Sequence, residues 1–336
     1  HVGQVGDSAV PLNVTNLTTA AAVSAGGSHS CAALQNQTVQ CWGQGIYGQL
    51  GADLPSGNSS ATPLAVGGIN AAVGIAAGGK FSCALLVGGG VKCWGANDAA
   101  QLGNGLVNAG SSTPVTVASV STVTAIAAGN QHACALQSNQ TVWCWGANAF
   151  GQIGGGAVGP YWAGAQVLGI NNATAIAAGG DHTCALLSTG GVRCWGSGSY
   201  GELGNNGNTH SHTPVSVLGI TNATHIAAGY YHTCARLATG SVTCWGYSPY
   251  GRLGDGSGQM SRLAPQYIAS GVCSMDLDGD GVVSATGDGL MLVRALLGFS
   301  GGAVTTNAAA ASGTRRSWGE IRAHLKTSCG VQGLPP

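Results

Sequence analysis

Short apolar runs separated by Gly, Ser, Asn and Pro recur along the first 270 residues with a period near fifty. Aligned on Cys-Trp-Gly, the chain shows five copies: Cys41-Trp42-Gly43, Cys93-Trp94-Gly95, Cys144-Trp145-Gly146, Cys194-Trp195-Gly196 and Cys244-Trp245-Gly246, spaced 52, 51, 50 and 50 residues apart. Every copy passes through the same stations. A Pro-led apolar stretch (63–66, 114–117, 214–217) is followed by Ile-Ala-Ala-Gly (75–78, 126–129, 176–179, 226–229), then Cys-Ala-Leu, Val-x-Cys-Trp-Gly and Gly-x-Leu-Gly. Apolar runs this short, bounded by turn formers, predict strands rather than helices. Four strands per unit, starting at the Pro-led stretch, repeated around an axis, predict an all-β propeller. The expected organisation is a β-propeller over 1–270 and a small α-helical calcium-loop module over 271–336.

The cysteines sharpen the strand reading. Ten of the twelve form pairs ten residues apart: Cys31 and Cys41, Cys83 and Cys93, Cys134 and Cys144, Cys184 and Cys194, Cys234 and Cys244; Cys273 and Cys329 remain. If Cys31 faces Cys41 across a hairpin, Ala33 faces Val39, and the same rule sets Leu85 against Val91, Leu136 against Val142 and Leu186 against Val192. Facing residues in an antiparallel pair lie roughly 4.5–5.5 Å apart, within the roughly 4.4–6.8 Å that a disulfide spans. Each pair is therefore expected to close its own hairpin, and the chain to belong to an oxidising, extracellular compartment. Zinc is the weaker alternative, since its cysteine ligands come two to four apart and more than one pair is needed.

The pattern Ala-Gly-x-x-His-x-Cys-Ala-Leu, Val-x-Cys-Trp-Gly, Gly-Gln-Leu-Gly resembles the regulator-of-chromosome-condensation propeller family over roughly residues 1–270. The resemblance implies about seven blades and a protein-binding role. Here there are five full repeats and partial ones. Gly3-Gln4-Val5-Gly6 is an extra Gly-x-Leu-Gly-like station, and 265–268 reads as a lone first strand. Six or seven blades are expected if residues precede His1; otherwise a neighbouring subunit completes the ring. The disulfides and the weak charge argue against the nuclear exchange-factor role of the family's namesake.

Charge narrows the partners. Charged residues are 7% of the chain, against about 25% in ordinary domains. Residues 1–270 hold six Lys or Arg and six Asp or Glu. So few cations cannot neutralise many phosphates, which disfavours nucleic acid, and no apolar run is long enough to span a membrane. Gly43-Gln44-Gly45-Ile46-Tyr47-Gly48 and its counterpart 196–201 match a dinucleotide fingerprint without the βαβ unit that it requires. The middle Gly becomes Asn97 and Asn148 in sister repeats, which predicts a left-handed turn and no nucleotide. His29, His132, His182 and His232 share one phase, with Phe81 in the second repeat; a turn hydrogen bond explains them better than a metal ring. No catalytic motif or close acidic pair occurs in the propeller, so no enzyme is expected. Seven sequons, at Asn13, Asn16, Asn36, Asn58, Asn139, Asn172 and Asn222, are candidate glycan sites on an extracellular chain.

The C-terminal module carries Asp276-Leu277-Asp278-Gly279-Asp280-Gly281-Val282-Val283-Ser284. Acids at positions one, three and five with Gly at six match the start of a calcium loop. Val282 would give its carbonyl, Ser284 would act directly or through water, and Asp288 stands one residue beyond the usual closing acid. This resembles a dockerin-type half-motif, which implies Ca2+. The second acidic loop of that family is missing, which argues against cohesin docking. Cys273 and Cys329 would clamp the module's ends. The expected function is a secreted, non-enzymatic structural or adhesive propeller, with self-assembly into filaments or surface layers as its expected mode; the alternative is a secreted module that captures or inhibits a protein.

Overall fold

The computed structural model describes residues 11–52, 59–256, 259–267 and 320–321. The chain divides into two compact units, His1–Ile268 and Ala269–Pro336. In the first, five four-stranded antiparallel sheets follow one another along the chain, at 20–65, 72–116, 123–166, 173–216 and 223–267. Within each sheet, or blade, the strands lie side by side in sequence order. The first strands, Ala20–Ala25, Ala72–Ala77, Val123–Ala128, Ala173–Ala178 and Ala223–Ala228, end in Ala-Gly steps that together line one central funnel.

The hairpin register is the one the cysteine spacing predicts. Cys31 faces Cys41 and Ala33 faces Val39; Leu85 faces Val91, Leu136 faces Val142 and Leu186 faces Val192. The five disulfides predicted within hairpins are formed, with Cα atoms 4.0–4.1 Å apart. Beside each bridge the glycine of Cys-Trp-Gly takes a left-handed φ, from 99° at Gly196 to 111° at Gly95. A bulge in the pairing with the fourth strand begins there. A Cβ on Gly43 would lie 2.8 Å from the Cα of His29 on the facing strand, so the repeat needs glycine both for its dihedral and for its bareness.

The blade boundary differs from the sequence reading. The Pro-led stretch is the fourth, outermost strand, paired with the Cys-Trp-Gly strand that precedes it. Residues 265–267 therefore belong to Ser261–Tyr267, which completes blade five, and no lone first strand is left over. The middle position of the fingerprint differs too: Gly45, Asn97, Asn148 and Gly198 are absent from the positive-φ residues among those described. The asparagines earn that place through their side chains. Asn97 Oδ1 accepts from the Leu102 amide at 3.0 Å while its Nδ2 donates to the Leu106 carbonyl at 3.0 Å. Asn148 does the same with Ile153 and Ala157.

The core lies between blades rather than within them. Phe81, Leu85 and Cys83 of blade two pack on Ala133, Ala135 and Trp145 of blade three, and equivalent clusters fill the other three seams. On the outer side of blade one, Val14 and Leu17 cover Ala32, Leu34 and Trp42. Cys273, Cys329, Asn58 and the calcium-loop residues Asp276, Asp278, Asp280, Val282, Ser284 and Asp288 lie outside the described residues.

Candidate interaction face and the seams that hold it

Three of the four seams between the described blades are closed by a polar relay. His29 Nε2 lies 2.8 Å from Ser82 Oγ on the next blade. That hydroxyl donates to the Gln49 carbonyl at 3.0 Å, and the same carbonyl accepts Trp94 Nε1 at 2.9 Å. Since the hydroxyl proton is spent on the carbonyl, the hydroxyl accepts from the imidazole, which fixes the Nε2–H tautomer. The relay recurs as His132 to Thr183 at 2.9 Å and His182 to Thr233 at 2.8 Å. Thr183 and Trp195 converge on the Gln152 carbonyl, and Thr233 and Trp245 on that of Glu202. The histidines thus bridge blades, where the sequence suggested a local turn bond. Phe81 now has a reason: the residue facing it on blade three is Ala133, not Ser or Thr, so that seam is apolar on both sides.

Burial depresses these imidazoles. His29 and His132 are held at about 4, from a usual 6.5, and His182 at about 3, where His132 and His232 add repulsion to the burial. Their Nδ1 atoms are buried without a partner, which a neutral ring tolerates and a cation does not. Nearer the axis, backbone bonds cross the seams: Gly27 N to Gly78 O and Gly79 N to Gly129 O, both 3.1 Å, then Asn130 N to Gly180 O and Gly180 N to Tyr230 O, both 2.9 Å.

These seams set two ends of the propeller unit. At one end the loops after the first and third strands rise together and carry the aromatic residues. Tyr47, Phe150, Tyr200 and Tyr250 occupy one station of successive repeats, with Ala99 in blade two, and all four rings are exposed. Lys80 Nζ sits 4.3 Å from the Tyr47 ring centre. Phe150 meets His210 at 4.8 Å. At the seam of blades four and five the rings become continuous: Tyr230 contacts Tyr231 at 4.5 Å, Tyr231 contacts Tyr200 at 5.6 Å, and Tyr200 contacts Tyr247 at 4.4 Å, with the Arg252 guanidinium 5.4 Å from Tyr247. Burial raises Asp181 and Tyr230 above their usual ranges on this end. Sequence reasoning missed this cluster because Tyr200, the Tyr230–Tyr231 pair and Tyr247, the last residue of a strand, come from three separate segments of the chain.

The opposite end carries several of the described sequons. Asn36 and Asn139 sit exposed at tips between second and third strands, each Oδ1 accepting from the sequon threonine hydroxyl at 2.7 Å. Asn172 and Asn222 directly precede first strands and so lie at that same end, while Asn13 and Asn16 stand in the segment before blade one whose Val14 and Leu17 pack on that blade's outer side. Among the described residues no group of His, Cys, Asp or Glu is arranged to hold a metal, and no helix is long and apolar enough to cross a membrane.

The match to a family model, described as the RCC1-like domain, runs over residues 2–323. The chain belongs to the RCC1-like domain family. Within this family setting, it is similar to the rat protein named Probable E3 ubiquitin-protein ligase HERC4, 32% identical over 43% of this chain and 14% of that protein. It is also similar to the Ultraviolet-B receptor UVR8 of Arabidopsis thaliana, 33% identical over 39% of this chain and 30% of that one. The chain thus spans less than a third of either relative. Human WBSCR16 shares its fold with TM-score 0.68 at 21% identity, covering 74% of this chain and 67% of that one. Prp20p of Saccharomyces cerevisiae gives 0.64 at 23%, covering 74% and 63%; its structure was described with binding to Gsp1p and histones. These two identities show the RCC1-like fold alone. The RCC1-like propeller unit of this chain carries five intrablade disulfides.

Proposed function

We propose that this chain is an extracellular, non-enzymatic binding propeller that meets a protein partner with its aromatic loop end and carries glycan on the other. The observation behind this reading is the placement of Asn36, Asn139, Asn172 and Asn222 at one end and of the tyrosine cluster at the other. Tyrosine and arginine are the residue types that anchor protein interfaces, because they bury large area with little loss of rotamer freedom. Loops held by disulfides and interblade bonds bind with little further ordering. Five disulfides favour an oxidising compartment. The relative with described partners, Prp20p, binds proteins, which fits a partner-binding role here.

The test is differential capture from the native extracellular medium. Immobilised wild-type chain and Asn139→Gln are expected to retain the same protein, and Tyr200→Ala/Tyr231→Ala to lose it. Retention by the tyrosine variant contradicts the assignment of the face.

Calcium completes the proposal. Asp276, Asp278 and Asp280, with Val282, Ser284 and Asp288, supply the oxygen-rich set that Ca2+ takes, and a Cys273–Cys329 bridge would clamp the module around it. Calorimetric titration of the chelator-stripped chain with calcium chloride is expected to give one saturable site that Asp278→Ala removes. A wild-type chain without heat of binding ends the calcium reading. Assembly into filaments or layers is the second reading, favoured by a net charge of zero, which weakens mutual repulsion. Light scattering with and without EDTA tests it, and a monomer in both conditions counts against it.

A further inference from the structure

At the loop end the repeats are their own controls. The residue before the seam histidine, or before Phe81, is Ser28, Lys80, Gln131, Asp181 and Tyr231 in successive blades. In two of these places the chain answers a group of the preceding blade with a side chain of its own. Lys80 Nζ donates to the Tyr47 hydroxyl at 3.1 Å and stands 4.3 Å from that ring's centre. Gln131 Nε2 donates to Asp98 Oδ2 at 3.3 Å, and Gln101 Nε2 to its Oδ1 at 2.9 Å. Asp181 is half-buried, and among the described residues no cation lies within ion-pair distance of its carboxylate.

Aromatic rings stand beside this unmet charge. The Tyr230 ring lies on Gly180, where a Cβ would come within 2.7 Å of its Cδ1 and Cε1. Its hydroxyl feels the Asp181 charge. Tyr231 meets Tyr230 and Tyr200 edge-on, at 4.5 and 5.6 Å. All three rings are exposed, and both blades of this seam lie within the chain. Blade four adds a second acid. Gln49, Gln101 and Gln152 each accept the amide two residues earlier, a bond that Glu202 makes to Tyr200 at 2.8 Å. A neutral side chain suffices in three blades, so the fold does not require the Glu202 charge. Ser197 links the two acids: its amide donates to the Asp181 carbonyl at 2.8 Å and its hydroxyl to Glu202 Oε1 at 3.5 Å. His210 acts on Glu202 and Arg252 lies over Tyr247 at 5.4 Å; Asp181 is the charge left over. A carboxylate beside exposed tyrosine faces attracts a cation twice, by Coulomb force and through the ring quadrupoles.

We infer that Asp181, beside Tyr200, Tyr230 and Tyr231, receives a lysine or arginine side chain of the protein partner. The inference rests on the tyrosine end being the binding face and names the chemistry that face selects. The test uses the full chain and a labelled peptide of alternating Lys and Gly, with its acetyl-lysine counterpart as control, followed by fluorescence anisotropy. The Lys peptide is expected to bind and the acetylated one not, more weakly at about 300 mM than at about 50 mM salt. Asp181→Asn keeps the main-chain bond to Ser197 and is expected to weaken binding about tenfold or more. Asp98→Asn, whose charge is already met, is expected to leave it unchanged. Equal binding of the acetylated peptide, equal losses in the two Asp variants, or no binding by the wild-type chain overturns the inference. Native capture judges the face separately. A captured protein lost with Tyr200→Ala/Tyr231→Ala but kept with Asp181→Asn leaves the face standing and overturns the cation site. Capture indifferent to the tyrosines, with Lys-peptide binding that Asp181→Asn removes, overturns the face and supports the cation site.

Discussion

At single residues, the seams show how a repeat protein exchanges parts in pairs. His29, His132 and His182 each face a hydroxyl on the next blade, whereas Phe81 faces Ala133. Removing one partner alone strands the other. Thr183→Ala leaves the His132 Nε2–H buried without an acceptor and is expected to cost about 1–3 kcal/mol. His132→Phe with Thr183→Ala rebuilds the chemistry of the blade two–three seam and is expected to recover most of that loss. Urea unfolding of the singles and the double gives the coupling, and strictly additive losses would contradict the pairing. The sequence displayed both members, since His and Ser or Thr stand at fixed repeat phases. It did not display their partnership, because repeat spacing gives a residue's place within a blade but not which neighbouring blade it touches. Position 97 teaches the same lesson: Gly and Asn share a tolerance of positive φ, yet Asn97 is there for two hydrogen bonds.

At the level of strands and blades, two properties follow from the stapled hairpin and its seam. Each disulfide closes a short loop, and Cys134→Ser/Cys144→Ser is expected to lose about 2–3 kcal/mol, read as a lower thermal midpoint. An unchanged midpoint would mean that the bridge adds nothing to that blade. The seam imidazoles make the same structure acid-labile. The fold holds His29 and His132 neutral down to about 4 and His182 to about 3, whereas the unfolded chain takes up protons below about 6.5. A depressed folded value on a cationic group means stability that is whole above 6.5 and is lost as pH falls toward 4. The effect is roughly 3 kcal/mol for each site fully expressed. Denaturant midpoints at neutral pH and at pH near 5 are expected to differ in that direction, and equal midpoints would show that the rings titrate freely. The hairpin register was legible from the ten-residue cysteine spacing, because antiparallel pairing turns one contact into all the others. The blade's phase was not. A period of fifty has no marked origin, and only the pairing of Ser59–Ala65 with Val39–Gln44 shows that the Pro-led strand comes last.

For the whole molecule, alternation of loops between two ends turns repeat phase into geography. Residues between the second and third strands, or directly before a first strand, share one end, which holds Asn36, Asn139, Asn172 and Asn222. Residues after first and third strands share the other with the tyrosines and the funnel. On the proposed reading, glycan at Asn36, Asn139, Asn172 and Asn222 would leave the tyrosine loops uncovered. All of it rests on the cysteines being joined within blades, in a compartment that keeps them so. Peptide mapping of the native protein without reduction, read by mass spectrometry, tests this most directly. The account predicts five linked peptides, each joining cysteines ten residues apart, from Cys31–Cys41 to Cys234–Cys244. Free thiols at those positions, or links between different blades, would contradict it.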